Sequence, residues 1–114
     1  MRRPERTDWI DRDSYRKQIL AGQDAMADGV YMQIVEIKPQ EHVDKHYHEQ
    51  TQETFYILDS GGTLIIDDHE LTPDDGDVII CEPGDVHEVR NETETPFRIL
   101  VVKTDAADDD TVWL

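Results

Sequence analysis

Between residues 30 and 103 the chain never sustains an apolar run longer than about eight residues, and turn-forming clusters close every run. Val30–Ile37 ends at Lys38-Pro39, and Thr54–Leu58 ends at Asp59-Ser60-Gly61-Gly62. Thr63–Ile66 meets Asp67-Asp68, a tight-turn pair from which Glu70-Leu71-Thr72 returns, and Pro73-Asp74-Asp75-Gly76 turns again. Asp77–Cys81 runs into Glu82-Pro83-Gly84-Asp85, Val86–Arg90 is short, Asn91–Pro96 turns, and Phe97–Lys103 closes the set. Pro and Gly punctuation at this spacing leaves no room for a long helix and predicts an antiparallel sandwich or barrel. No segment repeats strongly enough for a solenoid or propeller.

The flanks differ in character. Residues 1–24 are polar, with Trp9, Ile10, Tyr15, Ile19 and Leu20 as their large apolar groups. Two readings fit: a short helix capped by Asp13 or Ser14 and running through Leu20, or an extended arm packing on a partner subunit. Residues 25–104 form the expected β domain, and 105–114 an acidic tail in which Val112-Trp113-Leu114 offers a terminal anchor. Over the 114 residues, 11 Lys and Arg against 27 Asp and Glu give a formal charge of −16. Such a surface repels phosphate, which argues against nucleic acid and anionic membranes as partners. Acid excess with scarce Lys suggests adaptation to high salt, where screening over about 3 Å at 1 M suppresses self-repulsion. No stretch approaches the roughly 20 apolar residues of a membrane span. Met1-Arg2-Arg3-Pro4-Glu5 leads into no apolar core, so a cytoplasmic protein is expected. Cys81, the single cysteine, excludes an intrachain disulfide and a multi-Cys zinc site.

The chemistry concentrates in four residues. His46 and His48, two apart on a predicted strand, point to one face. Glu53 begins the next strand, and His87 follows the Pro83-Gly84 turn. Three imidazoles and a carboxylate gathered inside a small domain are costly unless something satisfies them. One divalent transition metal would do so, and Fe, Mn, Ni, Zn and Cu all accept these donors. An H-x-H pair alone is weak evidence, since most such pairs are surface chance; the rest of the spacing gives it weight.

That spacing resembles the cupin superfamily. The first cupin motif (Gly, five residues, H-x-H, three or four residues, Glu, six residues, Gly) aligns with Gln40, His46-Tyr47-His48, Glu53 and Ser60. The second (Gly, five residues, P-x-G, two residues, His, three residues, Asn) aligns with Gly76, Glu82-Pro83-Gly84, His87 and Asn91. Gln40 and Ser60 replace glycines and Glu82 replaces a proline, all at turn positions, while the four ligand positions are intact. The resemblance spans about residues 30–103. It implies an all-β double-stranded β-helix (jelly-roll) barrel with His46, His48, Glu53 and His87 binding one metal near one mouth. Two coordination positions would then stay open for water, O2 or a small-molecule substrate. It also implies a metal-dependent, dioxygenase-like enzyme acting on a small polar metabolite; the alternative is a non-catalytic module that binds or senses a small molecule or sugar. A homodimer is expected, with the apolar residues of the first 24 positions exchanged between subunits.

The other candidates have plainer readings. Tyr47 is expected on the outer face. Phe55 and Ile57, which share parity with Glu53, are candidates for a pocket wall and Met32 and Ile34 weaker ones, although plain core packing is the favoured account of all four. His42 and His69 read as solvated loop and turn residues. Cys81 reads as an inert buried thiol with no basic residue beside it in sequence. Asn91 reads as a partner for turn backbone, and the aspartates of the tail lack calcium-loop spacing.

Overall fold

The computed structural model describes residues 1–114, in eleven strands and no helix. The strands are β1 (Ile10–Asp11), β2 (Tyr15–Ala21), β3 (Tyr31–Ile37), β4 (His42–His48), β5 (Gln52–Asp59) and β6 (Thr63–Ile66). They continue as β7 (His69–Leu71), β8 (Val78–Cys81), β9 (His87–Arg90), β10 (Phe97–Thr104) and β11 (Thr111–Trp113). A six-stranded sheet, ordered β1-β2-β3-β10-β5-β8, faces a five-stranded sheet, ordered β11-β4-β9-β6-β7. No helix is present that is long and apolar enough to cross a membrane.

The helix considered over residues 14–20 does not form. Asp13 adopts a left-handed φ of 65°, and Tyr15–Ala21 instead pairs antiparallel along β3 of the same chain, Tyr15 opposite Ile37 and Lys17 opposite Val35. A free strand edge with ladder bonds to offer outweighs a weak helix preference. The tail is likewise drawn into the fold, with β11 pairing onto β4, Thr111 opposite His48 and Trp113 opposite His46. Asp110 secures that return: its buried Oδ2 accepts from the Thr51 hydroxyl at 2.7 Å and from the Thr51 and Gln50 amides at 2.9 and 3.1 Å.

Alternation sets the core. Phe55 and Ile57 of β5, Phe97, Ile99 and Val101 of β10, and Ile37 of β3 point between the sheets. From the facing sheet they meet Val43, Leu64 and Val89. A bulge between Val43 and His46 lets both face inward despite their odd spacing. The apolar groups fill one end of the sandwich around the fully buried Phe97. Gly62 is required there, because a Cβ at this position would lie 2.0 Å from the Phe97 ring. Gln40 shows how a motif glycine is replaced. It holds a left-handed φ of 64°, while its Nε2 donates to the Glu92 and Thr93 carbonyls at 3.2 and 3.1 Å.

Candidate metal centre

The end of the sandwich away from Phe97 is polar. β4 presents His46 and His48, β9 presents His87 in register with His46, and β5 brings Glu53 from the opposite sheet. One donor atom from each residue lies within 4.8 Å of all the others. The four residues singled out in the sequence are therefore one cluster, and each is at most 8% exposed.

The protons are placed by what surrounds the rings. His46 Nδ1 lies 2.8 Å from the Asp44 carbonyl and His87 Nδ1 2.9 Å from the Asp85 carbonyl. A carbonyl can only accept, so both rings carry a proton on Nδ1 and turn Nε2 inward. His48 Nδ1 meets the Thr111 hydroxyl at 3.0 Å and Asp110 Oδ1 at 3.5 Å. Inside the cluster, Glu53 Oε1 stands 2.8 Å from His48 Nε2 and 3.2 Å from His87 Nε2. Neither approach has hydrogen-bond alignment, which leaves Oε1 buried without a donor. Outward anchoring of each imidazole with inward-facing Nε2 atoms and an orphaned carboxylate oxygen is the donor arrangement of a cation site. The residues fit a divalent metal.

Electrostatics within the cluster are uneven. Burial and the facing His87 ring press His46 down to about 4. For His87, burial also acts downward, but the Cys81 sulfur and the Glu53 carboxylate outweigh it and hold the ring up at about 10. Burial pushes the Glu53 carboxyl up, yet His48 and His87 override burial and keep it well below the usual carboxylate range. Glu53 is thus ionised and available as an anionic donor.

Above the cluster lies a cavity of about 190 Å³. A cavity of about 150 Å³ accepts benzene, so this one suits a ligand of several heavy atoms. Phe55 lines it as expected, whereas Ile57 packs in the core below. Met32 and Ile34 are not on the wall; Gln33, Val35 and Ile37 of β3 are. The expected parity of β3 is reversed, because the run is apolar on both faces and only the pairing with β10 decides which face turns inward. Tyr15, Lys17, Lys103 and Trp113 also line the cavity. The Trp113 ring lies 4.6 Å from that of His46. The sequence places Tyr15 and Trp113 in an arm and a terminal anchor and singles out neither lysine, so it assigns none of the four to the site; each belongs to a segment distant from the two motifs. Cys81 is buried as expected, but the fold gives it the basic neighbour that the sequence lacked, with Sγ 3.2 Å from His87 Nδ1. His42 and His69 are exposed.

Comparison with known proteins agrees with this fold. A segment of 55 residues is 31% identical to an uncharacterized protein of Methanocaldococcus jannaschii, covering 48% of this chain and 44% of that one. The match thus spans less than half of the relative's length. KdgF from a Halomonas species superimposes with a TM-score of 0.78 over 90% of both chains at 15% identity. A predicted oxalate decarboxylase from Thermotoga maritima does so with a TM-score of 0.73 over 79% of both chains at 24% identity. At these identities the structural likeness is one of fold. The model of the cupin domain family matches residues 33–103, a stretch that holds both halves of the four-residue cluster, and the chain belongs to that family.

Proposed function

We propose that the chain holds one divalent transition metal (Fe, Mn, Ni, Zn or Cu) through His46, His48, Glu53 and His87. It would act with it as a dioxygenase-type enzyme on a small polar metabolite. The observation that carries this is the orientation of the donors: every imidazole is tethered from outside, and the inward atoms share a buried carboxylate oxygen that lacks a donor. When bound, the metal supplies Lewis acidity and a place to organise O2 beside a chelating substrate. The chain's own groups do the rest. The Asp44 and Asp85 carbonyls and the Thr111 hydroxyl fix the ring planes. Phe55, Val43 and Val89 wall off water, and Trp113 leans on His46 at the rim.

The test is metal content after purification without added metal. Wild-type protein should carry about one ion per chain, and His46→Ala or His48→Ala should lose most of it while staying folded. Full occupancy in either variant would sink the assignment. A second reading, capture without turnover, draws on the cavity lining, where Glu53 is the sole carboxylate and is committed to the donor cluster. Stoichiometric binding with no product after long incubation would favour that reading.

We also infer a homodimer, formed through the outer face of the six-stranded sheet rather than through an exchanged N-terminal arm. Ile34, Leu100, Tyr56 and Val78 stand in one register row on that face, and Met32, Val102, Thr54 and Ile80 in the next. Two uncharged rows running across four strands, in a chain that is 33% charged, are the kind of apolar patch that marks an interface.

A further inference from the structure

The chain has only four lysines, and two of them, Lys17 and Lys103, line the same internal cavity. Lys38 is spent on a surface ion pair with Asp11 at 3.0 Å. Neither cavity lysine belongs to any ion pair. Their placement follows from the ladder. Lys103 sits directly opposite Glu53 on β5 and Tyr31 on β3, and Lys17 sits opposite Val35 on β3, in the row that meets β10 at Ile99, four residues before Lys103. Each therefore points inward with the alternate residues of its strand. Burial penalises both ammonium groups. For Lys103 the penalty is overridden by Glu53 across the ladder and by Tyr31, whose ring centre lies 5.3 Å from Nζ, but the charges acting on Lys17 are Lys103 and Arg12, both positive. Beside them Gln33 is 4% exposed, and its amide oxygen has no partner.

In a chain of charge −16, where acidic side chains outnumber basic ones 27 to 11, a partly buried cation without a counter-charge is anomalous. Partly buried like charges cost energy unless an anion completes the site. We propose that the cavity takes a small carboxylate, one end held by the Lys17 and Lys103 ammonium groups and the other directed at the His46–His48–Glu53–His87 cluster. A hydroxyl on the same ligand would satisfy the Gln33 oxygen. Only the second contact rests on the metal reading; the lysine half of the site is independent of it.

Malonate is a probe of the right size and charge, with malonamide as its uncharged counterpart. Calorimetric titration of metal-loaded and metal-free wild-type protein should show malonate binding in both, tighter when metal is present, and no binding of malonamide. Lys17→Met or Lys103→Met should weaken malonate about 10-fold, as expected for loss of one charge-assisted hydrogen bond, and should leave metal content unchanged. A side-chain 15N measurement on the unaltered protein guards against misfolded variants: malonate should move the Lys17 and Lys103 Nζ signals and leave those of Lys38 and Lys45 in place. Wild-type protein that takes up no metal when it is supplied, yet still binds malonate, would uphold the lysine site and remove the metal reading. Binding that ignores both substitutions, or equal response of all four lysines, would overturn the proposal while leaving the metal reading intact.

Discussion

Asn91 shows how much a single buried amide can organise. It is 1% exposed, and its Nδ2 donates to the carbonyls of Thr95, Ile37 and Lys38 at 2.8, 3.1 and 3.3 Å. Its Oδ1 accepts from the Thr93 amide at 3.0 Å and the Thr93 hydroxyl at 2.7 Å. The end of β3 and the turn before β10 are thus joined through one side chain. Asn91→Ala would leave several buried backbone groups unpaired at roughly 1–3 kcal/mol apiece, partly relieved by water. We expect about 2–4 kcal/mol less stability in urea unfolding, with metal content unaffected; a loss under about 0.5 kcal/mol would show that the amide is not structural. This role was legible in the sequence because Asn91 closes the second motif. Lys17, Gln33 and Lys103 were not legible, because a polar residue on an inward face looks the same in sequence as one on an outward face.

Among the strands, those with Gly or Pro boundaries were readable, and β5, β6, β8 and β10 lie close to where the sequence places them. β2 and β11 were harder, since their pairing is decided by partners far along the chain, β3 and β4 respectively. β3 carries a further lesson. Its Met32 and Ile34 are apolar on the face away from the cavity, which conceals the inward register of Gln33, Val35 and Ile37. An outer apolar face has a use if another sheet covers it. Val78 and Ile80 on the edge strand β8 are 59% and 52% exposed in the single chain. Light scattering should therefore report a dimer, and Ile80→Asp, which places a charge in the outer row, should shift it to monomer. A wild-type monomer at micromolar concentration would refute the interface.

At the level of the molecule, the surface charge and the interior chemistry pull in different directions. A formal charge of −16 on 114 residues opposes compaction. Raising NaCl from about 0.01 to 1 M shortens the screening distance from about 30 to 3 Å. The melting temperature should rise over that range, and a flat or falling profile would remove the case for a salt-adapted surface. Acidity was plain from composition, whereas the concentration of scarce lysines around one cavity is a property of the folded chain. The four-donor cluster has a consequence of its own. Three of its members sit on the five-stranded layer and the fourth, Glu53, on the six-stranded one. An ion bonded to all four would rivet the two leaves together at their open end, alongside the apolar contacts of Phe55, Val43 and Val89. Because the unfolded chain offers no such pocket, whatever the ion contributes in affinity is added to the resistance of the fold to opening.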